Sequence, residues 1–292
     1  MKVSIISEGE GACAAYALGV LDALYSNFGL KRVDYVAGSS GSLPILAYYV
    51  SGQFSLAKSK FIKYLSSRKI LRLDHISKRK KIIDIDYIID TIFKKKIPLN
   101  IKNLKNSKTK FIVPVTDIET GNLKYFNNRS KYDFFEILRA GMAAPFSYNK
   151  SVTIGKRLYF DGAYGDPIPV SVNGIKGSKK IIIITRNMTF SNKLEQFISK
   201  IFKSKFEKGK YNALSHKRAV YKRKIREIKK LNKDKNTIVI EIQKNYSLFD
   251  NRKSALEKIK KIGFEDTINN KEVINLIKSM KKSKKKEFYF SD

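Results

Sequence analysis

Short apolar runs rich in β-branched residues alternate along the chain with longer stretches whose apolar positions recur every three or four residues, the mark of interleaved strands and helices. Residues 2–7 form the first run, and a helix to about residue 27 follows with Tyr16, Val20, Leu21 and Leu24 on one face. A second strand starts at Val33 and ends at Gly38-Ser39-Ser40-Gly41-Ser42, before an apolar helix over 43–50. Amphipathic helices are expected over 54–67 and 84–95, the second carrying Ile85, Tyr87, Ile88, Ile89 and Phe93. Residues 109–115 predict a strand, in which Pro114 points to an edge or a bulge because it has no N–H to give a neighbour. A turn at 116–121, a returning strand at 123–126, a helix near 134–141 and a hairpin at Gly155-Lys156 come next. A basic helix over 211–231 and a strand at 237–242 complete the pattern. The first helix crosses between two neighbouring parallel strands, so the loops after both strands open at the same, carboxyl edge of the sheet.

Composition sets limits on this picture. The chain has 292 residues, 42% hydrophobic and 12% aromatic, enough for one large domain or two small ones and unlike a disordered chain. No apolar run approaches the roughly 18–20 residues of a membrane span. The N-terminus reads as a strand rather than a signal segment, so a cytoplasmic protein is expected. A single cysteine, Cys13, excludes an internal disulfide and a Cys-rich zinc site; no metal and no cofactor are expected.

The formal charge of +34 is unevenly placed. Lys2, Lys31 and Arg32 face Glu8, Glu10, Asp22 and Asp34 within residues 1–50, so this segment is net −1 and the remainder holds +35. Such a charge favours anionic partners, nucleic acid or an anionic lipid surface. A chain this rich in Lys, Ile and Asn is also what an A/T-biased genome encodes whatever the function. No zinc-finger, RRM or clear helix-turn-helix signature is present, and no specific nucleic acid is expected. Over 193–235, Ile201, Phe202, Phe206, Leu214, Val220, Tyr221, Ile225, Ile228 and Leu231 are interleaved with lysines and arginines, a pattern that suits helices on an anionic membrane. The basic cluster at 278–286 reads either as a weak lipid contact or as a solvated tail. Phe288-Tyr289-Phe290 after it reads as an interfacial anchor or as a return to the core.

Three stretches carry candidate chemistry. Ser40 sits at the apex of a strand, sharp turn and helix, with the small residues Gly38 and Ser42 two before and two after it. A hydroxyl there stands clear of both backbones. The five residues Gly38-Ser39-Ser40-Gly41-Ser42 also read as a flexible loop or an anion-binding turn. The loop Gly9-Glu10-Gly11-Ala12, between the first strand and the first helix, aims backbone N–H groups at one spot. It would serve as a phosphate loop, although it lacks the Walker lysine and a clear Rossmann unit, or as an oxyanion hole beside Ser40. Asp161 directly follows the apolar Tyr159-Phe160 and precedes Gly162-Ala163, which makes it a carboxylate held at a strand end or simply a turn former.

Taken in order, these motifs resemble the patatin-like phospholipase family, in particular its bacterial branch. The family's glycine-rich loop, Gly-Gly-Gly-x-Arg-Gly, corresponds to Gly9-Glu10-Gly11-Ala12-Cys13-Ala14. Its Gly-x-Ser-x-Gly corresponds to Gly38-Ser39-Ser40-Gly41-Ser42, and its Asp-Gly-Gly/Ala to Asp161-Gly162-Ala163. The likeness spans most of residues 1–190 and continues more loosely beyond. It implies a three-layer α/β sandwich with a mainly parallel central sheet. Residues 1–190 would be the catalytic core, with a basic, mostly helical part over 191–292 continuing the same domain.

The resemblance further implies a serine acyl hydrolase of the phospholipase A, lysophospholipase or carboxylesterase type. Ser40 would attack the ester carbonyl and Asp161 would carry the proton. Gly9, Glu10, Gly11 and Ala12 would supply the oxyanion hole, Gly38, Gly41 and Ser42 would shape the elbow, and Gly162 and Ala163 would support the aspartate. The implied partners are a phospholipid or other acyl ester and, peripherally, an anionic membrane; the oligomeric state is not implied. The rival is a Ser-Asp/Glu-His triad, for which the chain offers only His75 and His216. Two departures point to the alternative, a catalytically weak or inactive relative that binds anionic membrane or nucleic acid. Glu10 replaces the middle glycine, and its carboxylate is expected to point away or pair with a lysine. Cys13 replaces the arginine and is expected to be a buried thiol.

Overall fold

The computed structural model describes residues 1–72, 81–145, 147–148, 150–186, 207–234 and 236–289, with side chains as far as residue 282. Eight strands form one sheet: β1 (Val3–Ser7), β2 (Tyr35–Gly38), β3 (Lys110–Asp117), β4 (Leu123–Asn127), β5 (Val152–Ile154), β6 (Arg157–Asp161), β7 (Lys179–Ile184) and β8 (Thr237–Glu241). Their order is β5-β6-β3-β2-β1-β7-β8, with β4 also on β3. The run from β3 to β8 is parallel, while β4, β6 and β5 are antiparallel additions.

Both faces of the parallel run are apolar because both are covered, as parallel sheets require. One face presents Ile5, Val36, Phe111, Val113, Ile181 and Ile183 to a large core. Helices α1 (Ala14–Asp22), α2 (Leu43–Val50), α3 (Phe54–Leu65), α4 (Ile101–Asn106) and α5 (Phe134–Met142) contribute to that core. The opposite face, with Ile6, Ala37, Ile112, Ile182 and Ile184, packs on Tyr221, Ile225 and Ile228 of the long basic helix α6 (Lys208–Leu231). The result is a three-layer α/β sandwich.

The C-terminal part is laced into this framework. β8 extends the sheet beyond β7, and α7 (Lys253–Ile268) lies on α1 with backbones in contact. A Cβ on Gly19 would fall 1.9 Å from the Lys260 carbonyl oxygen, and one on Gly263 2.3 Å from that of Tyr16. The Tyr16 hydroxyl donates to Asp266 at 2.7 Å across the same seam. A fragment ending after residue 190 would bare both α1 and the β7 edge. It is expected to aggregate where the full chain runs as a discrete species on size-exclusion chromatography.

Two expectations need correction. Over 84–95 the chain winds more widely than an α-helix, as a π-helical segment Tyr87–Lys96 that buries Ile88, Ile89, Ile92 and Phe93. Pro114 lies neither on an edge nor in a bulge. It stands in β3, which pairs with β4 along one side. Along its other side β3 pairs first with β2, at Lys110 to Ile112, and then with β6, at Val115 to Asp117. Pro114 falls in the gap between these two partners, where a missing N–H costs little. Because β2 is parallel to β3 and β6 antiparallel, the carboxyl ends of β2 and β6 meet head to head beside Pro114. That junction brings Ser40 and Asp161 together from opposite directions.

Candidate active site

The site starts from backbone conformation. Ser40, at the start of the turn Ser40–Ser42, has φ 45° and is the one non-glycine residue with positive φ among the described residues. Such a conformation costs about 1–2 kcal/mol and persists only where the surroundings impose it. The elbow is tight enough to impose it. A Cβ on Gly38 would lie 2.3 Å from Leu46 Cδ1, and one on Gly9 1.7 Å from the Ser39 carbonyl oxygen. Ser42 occupies the last small position of the elbow with a use for its hydroxyl, which donates to Ser39 O at 2.9 Å and reaches Ser7 O at 3.3 Å. Ser39 Oγ ties the turn to Pro167 O at 2.8 Å.

Asp161 arrives from β6, with only 1% of its surface exposed. Its carboxylate accepts a hydrogen bond from the Ala163 N–H at 2.8 Å. Burial pushes its pKa up to about 7, against the lowering pull of the neighbouring Ser40 hydroxyl, of the Ala163 N–H and of the Lys217 charge. Gly162 follows because nothing larger fits: a Cβ there would lie 2.1 Å from Pro114 O. A carboxyl poised near neutrality beside a serine hydroxyl is suited to exchanging a proton with it.

The glycine loop lies directly on the elbow, Gly11 having φ 49° and facing Gly41. The Ala12 N–H, expected to serve an oxyanion hole, is engaged instead, donating to Leu248 O at 2.9 Å. Glu10 turns away from Ser40 to an arginine rather than to a lysine. Its carboxylate lies 3.1 Å from Arg186 Nη2, and Glu8 lies 3.0 Å from Arg186 Nε. The guanidinium in turn stacks 3.8 Å from the centre of the Tyr221 ring. Arg186 thus absorbs the charge that replaces the middle glycine. Arg186→Met is expected to destabilise the fold by about 3–5 kcal/mol, measured by denaturant unfolding, because it strands two buried carboxylates.

Cys13 is a buried thiol, pushed up to about 12 by desolvation and next by the Glu10 charge, with its Sγ–H directed to Tyr246 O. His216 is exposed, and its Nδ1–H donates to Asn212 O at 2.7 Å within α6. His75 lies outside the described residues, as do Ile201, Phe202 and Phe206. Among the described residues no group of three or more His, Cys, Asp or Glu could hold a metal ion, and no helix is long and apolar enough to cross a membrane.

Ser40, Asp161 and the glycine loop line a cavity of about 170 Å³ together with apolar residues such as Phe61, Ile70, Ile85, Ile88 and Met142. Leu248, Phe249 and Lys217 also line it. Sequence reasoning missed Arg186, Leu248 and Lys217. The one available signal was the pair Glu8 and Glu10, two acids beside a strand end that would require a cation once buried.

The patatin-like phospholipase family model matches residues 8–173. A curated relative, the uncharacterized protein YjjU of Escherichia coli K12, is 23% identical over 186 residues, which is 63% of this chain and 51% of YjjU. The chain thus spans about half the length of that relative. A crystal structure of VipD from Legionella pneumophila aligns with a TM-score of 0.49 and 13% identity, covering 95% of this chain and 67% of that one. With more than half of its length matched by the family model, the chain belongs to the patatin-like phospholipase family, which acts on lipid esters.

Proposed function

We propose that the protein is a carboxylic ester hydrolase that cleaves lipid acyl esters through a Ser40–Asp161 dyad and an acyl-enzyme. The observation that carries this reading is the Ser40 hydroxyl beside a buried carboxylate with a pKa near 7, both lining a cavity shared with many apolar side chains. The acyl chain lies along Phe61, Ile85 and Ile88. Ser40 Oγ attacks the carbonyl carbon as its proton passes to Asp161. The tetrahedral oxyanion is received by N–H groups of the Gly9-Glu10-Gly11 turn, each worth roughly 3 kcal/mol. Collapse breaks the bond to the alcohol, which leaves with the proton from Asp161. Water then enters, gives its proton to Asp161, and releases the fatty acid as Ser40 recovers its hydrogen.

The basic surface suits peripheral docking on an anionic membrane from the cytoplasmic side, where such substrates lie. Purified protein is expected to hydrolyse short acyl esters in solution and to act on phospholipid vesicles more slowly as salt rises. A protein that binds anionic vesicles without releasing any fatty acid would instead favour a non-catalytic relative. The Leu248 carbonyl on the Ala12 N–H is the feature that speaks for that second reading.

A further inference from the structure

The turn Gly9-Glu10-Gly11 has irregular backbone, with φ −116° and ψ 86° at Glu10 and φ 49° at Gly11. Its ends are tied: the Glu8 N–H donates to Ile183 O at 2.9 Å, and the Cys13 N–H donates to Glu10 O at 2.9 Å. Where the turn meets the elbow the contact runs through Gly9, at which an added Cβ would lie 2.7 Å from the Ser42 nitrogen as well as against Ser39 O. The residues on either side of that contact, Glu8 and Glu10, are both acids, and both reach the same guanidinium.

Arg186 lies just beyond the end of β7 at Ile184. Its Nε is 3.0 Å from Glu8 and its Nη2 is 3.1 Å from Glu10, so the two arms of one planar group grip the chain before and after Gly9. Glu8 is fixed to the same strand end a second time, its Oε2 accepting from the Thr185 N–H at 3.0 Å. Stacking at 3.8 Å from the centre of the Tyr221 ring sets the plane of the guanidinium. One side chain thus refers the turn to two framework elements, β7 and α6. Glu8, Glu10, Arg186 and Tyr221 are all buried, and charges shielded from water hold one geometry more firmly than exposed ones.

We infer that Arg186 is a positioning residue for the oxyanion step: by gripping Glu8 and Glu10 it holds the N–H groups of the turn where the tetrahedral intermediate formed on Ser40 requires them. This inference rests on the reading of Ser40 as the nucleophile and of the turn as its oxyanion hole. Arg186 touches no reacting atom. Two consequences separate positioning from ordinary structural support. Displaced donors stabilise the oxyanion less, which lowers kcat with little change in KM. They also cost a carbonyl ester more than its thiono analogue, because sulfur is a larger and weaker hydrogen-bond acceptor that gains less from N–H donors at the outset. Loss of folded protein, by contrast, slows both esters in proportion and leaves their ratio unchanged.

The test uses the full chain with para-nitrophenyl hexanoate and the same ester carrying C=S in place of C=O, comparing kcat/KM for the two. Glu10→Ala leaves Glu8 and Arg186 as a balanced pair, so the fold is kept. It is expected to lower the carbonyl-to-thiono ratio about tenfold through kcat. Arg186→Lys keeps the charge but loses both the fork and the stacked plane, and is expected to lower the ratio to a similar extent. Glu10→Gln, whose amide oxygen still accepts from Nη2, is expected to recover most of it. An unchanged ratio in either Glu10→Ala or Arg186→Lys would overturn the inference, and so would a Glu10→Gln protein as impaired as Glu10→Ala. Because the folded fraction cancels in the ratio, partial unfolding of a variant does not blur the result. A parent protein that hydrolyses neither ester would overturn the hydrolase reading and this inference with it, whereas hydrolysis with ratios equal in parent and variants would overturn this inference alone.

Discussion

Ser40→Ala is expected to abolish ester hydrolysis, with kcat falling on the order of a millionfold, the loss seen when a serine nucleophile is removed from an otherwise intact site. The oxyanion donors and the cavity would remain, so any residual rate reports their contribution without covalent chemistry. The same position makes a separable prediction about stability. Ser40 is held at φ 45° by the packing of Gly9 and Gly38 around the elbow. A glycine adopts that conformation without strain, so Ser40→Gly is expected to be equally inactive and more stable than the parent by about 1 kcal/mol. Guanidinium unfolding of the parent, Ser40→Ala and Ser40→Gly measures it. Ser40→Ala keeps a Cβ and therefore keeps the strain. A glycine variant no more stable than the alanine one would remove strain from the description of the elbow.

Asp161→Asn is expected to be inactive as well, because asparagine can hold the Ser40 hydroxyl but cannot take its proton. Its stability should change in the opposite direction to its activity. In the native protein burial keeps Asp161 protonated up to about pH 7, against 3.8 for an exposed carboxyl in the unfolded chain. Between those values the native state binds the extra proton. The contribution of this group to stability is therefore complete below about pH 4, declines as pH rises, and is lost above about 7. Asp161→Asn removes that decline. It is expected to match the parent near pH 4 and to exceed it above neutrality by on the order of 4 kcal/mol at most. Hydrolysis by the parent runs the other way, its kcat/KM rising with pH through a midpoint near 7 as the base ionises. Thermal unfolding across pH, set beside a pH–rate profile, reads both. An Asp161→Asn protein less stable than the parent at pH 8 would contradict a carboxylate ionised at a cost.

Much of the candidate site was legible in the chain because its signals are local. A strand that ends in Gly38-Ser39-Ser40, glycines between a strand and a helix, and Asp161 followed by Gly162 each fall within a few residues, where backbone geometry dictates side-chain choice. The apolar run of β1 likewise announced a buried strand, whereas the run of β7 was not singled out. What was not legible depends on chain segments distant in sequence. Pro114 reads as an edge signal until two strands are seen to share one side of β3. Glu10 reads as a threat to an oxyanion until Arg186, 176 positions later, is seen to hold it. Leu248 and Lys217 look ordinary in sequence and matter only because the C-terminal part folds back over the glycine loop and the cavity. In this chain Arg186 answers the charge of Glu10, and the Tyr246 carbonyl receives the Cys13 thiol.

The most direct measurement is labelling of the purified protein with a fluorophosphonate, followed by intact mass and peptide mapping. A single adduct on Ser40 is expected, absent from Ser40→Ala and formed far more slowly in Asp161→Asn. No adduct on the parent protein, or one that persists after Ser40 is replaced, would contradict a serine activated by Asp161.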